Sequence, residues 1–197
     1  MSKTIDYYFT SISPFTYFGH SHLLQIAKEA NASVRFKPVM LRQVFAITGT
    51  LPIHERPKCR QAYRLVEIER WAAKRQLPAN LHPAHFPTDP SLADKCIIAL
   101  QEMGINAGEF AGLAQAACWS QEQDIAVEAV LHTILTELKL NADEVINQAK
   151  TEQTHAIYEA NTADAIEQGA IGAPAYYYNG EQFWGQDRLD LLKDALV

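Results

Sequence analysis

The chain has 197 residues, 48% of them apolar and 20% charged, with 9 Gly and 9 Pro. Its length suits one globular domain with one core and room for an insertion rather than a multidomain assembly, and its composition excludes a disordered or fibrous protein. Lys+Arg 17 against Asp+Glu 23 leaves a net charge of −6, so the chain as a whole has no electrostatic footprint for nucleic acid or an anionic membrane.

The first predicted element is a strand over 4–10, where alternation puts Ile5, Tyr7 and Phe9 on one face. A helix follows from Pro14 to Ala30, with Phe15, Phe18, Leu23, Leu24, Ile26 and Ala27 at helical spacing, and then a short strand from Ser33 to Val39. This β-α-β opening favours a parallel pair joined by a right-handed crossover. From Leu41 to Lys150 the pattern is almost purely helical. Leu65, Ile68, Trp71 and Ala72 mark one face of a helix over 57–76, and further stripes cover 91–103, 107–122 and 125–139, the last with Val127, Val130, Leu131, Ile134, Leu135 and Leu138. A loop over 78–90 carries Pro78, Pro83, Pro87 and Pro90 and is long enough to be functional.

A short helix over 142–149 and another over 152–168 lead to Gly169-Ala-Ile-Gly-Ala-Pro174 and a strand over 175–178. Asn179-Gly180 then predicts a tight hairpin to a strand over 182–184, because both residues tolerate positive φ, and a final helix runs over 188–196. The order is that of an α/β thioredoxin-like fold with a large all-helical insertion. Residues 1–40 and 152–197 form the thioredoxin-like part, and 41–151 form the inserted helical domain.

In that fold the chemistry lies between the loop after the first strand, here Ser11 to Thr16, and the loop before the third strand, here Gly172-Ala173-Pro174. Dithiol exchange needs a thiolate and a resolving thiol. The two ends of the C-x-x-C position hold Ser13 and Thr16, which excludes an ordinary disulfide oxidoreductase. Ser13-Pro14 reads first as a helix start, Ser as N-cap and Pro at the first helical position. The same helix end favours an anion, and a thiolate supplied by a ligand is one. X-Pro bonds are cis in only about 5–6% of cases, but the place of Pro174 before the third strand predicts a cis bond, which frees the Ala173 backbone to pair with a peptide. A small thiol peptide meets both needs, and glutathione is such a molecule.

The chain resembles the 2-hydroxychromene-2-carboxylate isomerases and the related kappa-class glutathione transferases, of the DsbA-like branch of thioredoxin folds. The resemblance rests on Tyr8 to Tyr17, Lys37-Pro38-Val39-Met40-Leu41 with Val44-Phe45 and Thr48-Gly49, Glu69-Arg70-Trp71-Ala72, Phe86-Pro87, Gly169 to Pro174, and Phe183-Trp184-Gly185-Gln186-Asp187-Arg188-Leu189. In order and spacing these blocks cover essentially the whole chain. The resemblance implies that Ser13 is catalytic and contacts the glutathione sulfur. It implies that Ala173 and Pro174 hold the cysteinyl backbone, and that Trp184, Gly185, Gln186 and Asp187 line the γ-glutamyl end, with Asp187 suited to the α-ammonium. Arg60 matches a basic position that attracts a glutathione carboxylate. Phe86 matches an aromatic position of the substrate pocket, and Arg56 is a candidate for an anionic substrate. Phe45 stands where the isomerases carry Lys, and Thr50 where relatives carry Asn.

Three readings remain open. The first is a glutathione-dependent isomerase whose thiolate adds reversibly to a small aromatic, electrophilic enone. The second is a kappa-like transferase, consistent with Phe45. The third is a non-catalytic binding module on the same fold. No metal site is expected, because none of the seven histidines has ligand spacing. Cys59, Cys96 and Cys118, odd in number and without C-x-x-C spacing, suggest neither disulfides nor a zinc knuckle and are expected to be buried in helical stripes. With no signal-like leader and no run of about 20 apolar residues, the expectation is a soluble, unprocessed cytoplasmic protein. Related proteins are often homodimers.

Overall fold

A computed structural model describes residues 3–197. Its sheet has four strands in the order β2-β1-β3-β4. β1 (Lys3–Phe9) runs parallel to β2 (Ala32–Pro38) and antiparallel to β3 (Ala175–Tyr178), which turns through Asn179-Gly180 into β4 (Glu181–Trp184). Both turn residues have positive φ, 50° and 80°, as a two-residue hairpin needs. α1 (Pro14–Glu29) makes the crossover between β1 and β2.

Between β2 and β3 lie α2 (Leu41–Thr48), α3 (Lys58–Arg75), α4 (Ser91–Glu102), α5 (Gly108–Ser120), α6 (Glu128–Glu137), α7 (Ala142–Ala149) and α8 (Glu152–Glu167), and α9 (Leu189–Ala195) closes the chain. No helix among the described residues is long and apolar enough to cross a membrane.

The alternation of β1 sorts the core. Ile5, Tyr7 and Phe9 are fully buried in one cluster with Phe18, Leu23 and Ile26 of α1, Ile97 and Leu100 of α4, and Phe110 and Trp119 of α5. One continuous apolar interior therefore passes from the sheet into the insertion. Tyr8 points the other way and joins Val39, Val44 of α2, Ala165 of α8 and Tyr177.

On that second face a polar cluster ties α8 to the sheet. The Tyr8 hydroxyl donates to Asp164 at 2.7 Å, Lys37 forms an ion pair with Asp164, and Gln168 Nε2 donates to Asp164 at 2.8 Å. Burial opposes ionisation of Asp164, but the hydrogen bonds from Lys37, Tyr8 and Gln168 prevail and hold its carboxyl down to about 2. The contribution is complete above the ordinary value of 3.8 and is lost as pH falls towards about 2. Asp164→Asn is expected to cost about 1 kcal/mol or less near neutrality, since the site is partly exposed, and to flatten the stability curve below pH 4. Denaturant melts over that range measure it.

Two expectations need correction. Cys59 is exposed, unlike buried Cys96 and Cys118. It lies nine residues before Ile68, the buried residue of α3, which at 3.6 residues per turn is the opposite face. The 125–139 stripe starts as a helix only at Glu128, and Val127 is the N-cap and 47% exposed. An additional 3₁₀ turn, Gln186–Arg188, precedes the last helix.

Candidate active site

Ser13 ends the loop after β1 with extended backbone (φ −78°, ψ 128°) and caps α1, its Oγ accepting from Thr16 N at 3.4 Å. Pro14 occupies the first turn without loss, because the N–H it lacks would be unpaired there anyway. Ser13 is 8% exposed. Its hydroxyl has no acceptor among the described residues, so its one donor is unspent beside the positive end of a 16-residue helix.

The loop is held from beneath by Asp94, in the first turn of α4, which is completely buried. Its carboxylate accepts from Ser11 N at 2.9 Å, Ser11 Oγ at 2.6 Å, Thr10 Oγ1 at 3.0 Å and the Tyr158 hydroxyl at 2.9 Å. Burial raises this carboxyl to about 6, with the four donors opposing. Trp119 of α5 adds a fifth restraint, donating from Nε1 to Ile12 O at 3.1 Å. The sequence reading missed Asp94, which looks like an ordinary helix-start acid. Its setting in Leu92-Ala93-Asp94 before Cys96-Ile97-Ile98-Ala99 was the available signal, since a lone charge in a buried run requires partners.

The facing loop comes from the other end of the chain. Tyr8 pairs with Ala175 across β1 and β3, and Ala175 pairs with Trp184, so Ala173 and Pro174 lie beside the end of β1 and just before Trp184–Asp187 along the sheet edge. The Ala173–Pro174 bond is cis, as expected, and so is Phe86–Pro87, which was not foreseen. Gly185, at φ 99°, donates to Pro174 O at 2.9 Å; a side chain there would be strained.

Gln186 is buried, with its amide oxygen near Arg75 Nη2 at 3.2 Å, so it fastens this loop to α3. Asp187 pairs with Arg188 at 2.8 Å, and neither the 3₁₀ turn nor α9 has a side-chain cap, so its carboxylate is not consumed as a helix cap. Gly19 of α1 lets the loop approach: a Cβ there would meet Gln186 Cβ at 2.7 Å and the Tyr176 hydroxyl at 2.8 Å. Gly19→Ala is expected to cost about 1–3 kcal/mol by overpacking and to displace Gln186, read by urea denaturation and the Gln186 amide resonance.

The remaining predicted residues fall into two groups. Phe45 lies near Gly172, which also abuts the half-exposed Trp184, and the Arg56 guanidinium lies 5.6 Å from the Phe45 ring centroid. Phe86 packs against Trp119 at 4.9 Å and carries Arg64, unforeseen in the sequence, 5.0 Å from its centroid. Arg60 is exposed on α3, and its charge pushes Arg56 down, although burial of Arg56 is the larger cause. Burial pushes the Cys96 and Cys118 thiols up to about 12, so neither is a nucleophile at neutral pH. Among the described residues no three His, Cys, Asp or Glu side chains gather as a metal-ligand set.

The DSBA-like thioredoxin domain matches residues 4–197. The chain belongs to the DSBA-like thioredoxin domain family. Among members of related sequence, a 2-hydroxychromene-2-carboxylate isomerase of Sphingobium xenophagum is 28% identical, covering 100% of both chains. A glutathione S-transferase kappa 1 of Caenorhabditis elegans is 24% identical over 98% of this chain and 90% of its own. A solved 2-hydroxychromene-2-carboxylate isomerase superposes with a TM-score of 0.84 at 23% identity, over 98% of this chain and 94% of that one; this likeness is one of fold. Within the DSBA-like family frame the chain combines a serine cap where a C-x-x-C would begin with a cis proline at the facing loop.

Proposed function

We propose that the protein is a glutathione-dependent isomerase of the 2-hydroxychromene-2-carboxylate isomerase type, acting on a small aromatic, electrophilic substrate. The observation that carries this reading is Ser13: a nearly buried hydroxyl with an uncommitted proton at the N-terminus of α1, on a loop without a cysteine. The names of the similar proteins, an isomerase and a kappa-class glutathione transferase, support it. Bound here, glutathione would supply the thiolate nucleophile, which adds to and leaves a conjugated double bond.

The protein's own groups fit that role. Ser13 donates a hydrogen bond to the sulfur and, with the helix end, favours its ionised form. Ala173, beside Pro174, offers backbone groups to the cysteinyl unit, and Trp184, Gly185 and Asp187 enclose the γ-glutamyl end, with the Asp187 carboxylate facing an ammonium and the buried Gln186 anchoring their loop to α3 from the inner side. Arg60 attracts a glutathione carboxylate. Phe45, Arg56 and Phe86 border the space left for the substrate. A kappa-like conjugating transferase is the second reading, favoured by the apolar Phe45 near Gly172 and beside Arg56.

The deciding experiment is turnover of 2-hydroxychromene-2-carboxylate with and without glutathione, beside conjugation of an aromatic halide. Glutathione-dependent turnover of the first alone supports the isomerase. Conjugation alone selects the transferase, and binding of glutathione with neither activity selects a binding module.

A further inference from the structure

Arg64 is the one guanidinium in the insertion with a terminal nitrogen that is both buried and without a partner among the described residues: Nη2 contacts no acceptor. Its position is nonetheless well defined. The guanidinium carbon lies 5.0 Å from the Phe86 centroid and 5.6 Å from the Trp119 centroid, and those rings pack against each other at 4.9 Å. Two aromatic faces orient an arginine and leave the edge of its planar fork free for an acceptor. Trp119 in turn donates to Ile12 O, the residue before Ser13, so this fork is linked to the Ser13 loop through a single side chain.

The surroundings point to an anion. Arg56, Arg60 and Arg64 follow one another at intervals of four residues leading into and along α3, and none forms an ion pair with a carboxylate among the described residues. Burial pushes Arg64 down to about 10, and the positive Arg56 adds to the shift. In a chain with net charge −6, three neighbouring arginines without an ion pair among the described residues repel one another, and a bound anion relieves both the repulsion and the unspent donor. The aromatic walls favour a flat ring attached to that anion.

We propose that Arg64 is a carboxylate-binding residue of the Ser13 site, with Phe86 and Trp119 as the flanking aromatic surface. This rests on the reading that a small molecule is handled beside Ser13, and it names the residue that receives the acid group. The carboxylate has two possible sources, an aromatic acid substrate or the glycyl end of glutathione.

The test titrates wild type, Arg64→Gln, Arg64→Lys and Arg56→Gln with 2-naphthoate, its neutral isostere 2-naphthamide, glutathione and glutathione glycyl ethyl ester, followed by calorimetry. For an aromatic acid, wild type is expected to bind naphthoate at least tenfold tighter than naphthamide. Arg64→Gln removes that preference while naphthamide binding stays within about twofold, which also shows that the pocket is folded, and Arg64→Lys keeps part of it. If the preference appears instead between glutathione and its ester and disappears in Arg64→Gln, the carboxylate is the glycyl one and Arg64 still receives it.

The proposal is overturned if wild type prefers neither acid over its neutral form, or if the preference survives in Arg64→Gln and is lost in Arg56→Gln. Failure of glutathione to bind with the naphthoate preference intact refutes the glutathione reading alone.

Discussion

Ser13→Ala is expected to reduce glutathione-dependent turnover by tenfold to a hundredfold while leaving the protein folded. A hydrogen bond to an ionised group contributes about 1.5–3 kcal/mol, and 1.4 kcal/mol corresponds to a factor of ten. The same loss should raise the pKa of bound glutathione by about 1–2 units, visible as reduced thiolate absorbance near neutral pH. Stability changes less. The capping bond to Thr16 N is long, 3.4 Å, so the cost belongs at the low end of about 0.5–2 kcal/mol. Ser13→Thr retains a hydroxyl and should recover part of the ionisation. Equal thiol ionisation in wild type and Ser13→Ala would remove Ser13 from the mechanism.

The second large effect is expected at Asp94, where Asp94→Leu should cost about 3–5 kcal/mol. It leaves a backbone N–H and the hydroxyls of Ser11 and Thr10 without an acceptor in the interior and Tyr158 with only the long bond to Val39 O at 3.4 Å, and each orphaned group costs about 1–3 kcal/mol before relaxation. Asp94→Asn keeps the shape and one oxygen acceptor, and should cost less.

The pH dependence separates the carboxylate from its bulk. Because burial raises Asp94 from 3.8 to about 6, the folded state holds a proton there that the unfolded chain has released. Its contribution is therefore complete below about pH 4 and declines as pH rises through about 6. The stability difference between wild type and Asp94→Asn should fall over that interval and stay level above it. A difference that is flat from pH 4 to 7 would mean that Asp94 stays in one protonation state.

Most of the frame was legible because its signals are local. The alternation of Ile5, Tyr7 and Phe9, the Ser13-Pro14 start of α1 and the Asn179-Gly180 turn each depend on a few neighbouring residues and appear where expected. The residues that were missed act over distance. Asp94 meets Ser11 across 83 positions, and Arg64 takes its meaning from Phe86 and Trp119, which reach it through separate elements. Cys59 went astray for a related reason: a helical stripe tells which residues share a face, and only packing tells which face is buried. The same separation explains Gln186. Its side chain is turned inward against Arg75 and Gly19, partners that lie far from it in the chain and leave no local signal.

The Ser13 loop belongs to the β-α-β frame, but two of the groups that set its backbone, Asp94 and Trp119, belong to the helices inserted between β2 and β3. Frame and insertion therefore cannot diverge independently. A change in α4 or α5 that moved Asp94 or Trp119 would be transmitted to the backbone of the Ser13 loop. Neither restraint reaches the exposed stretch around Ile47, Leu51 and Tyr63, where sequence is free to drift. Members of this lineage should accordingly vary most along α2 and the outer face of α3 while keeping the floor beneath Ser13 unchanged.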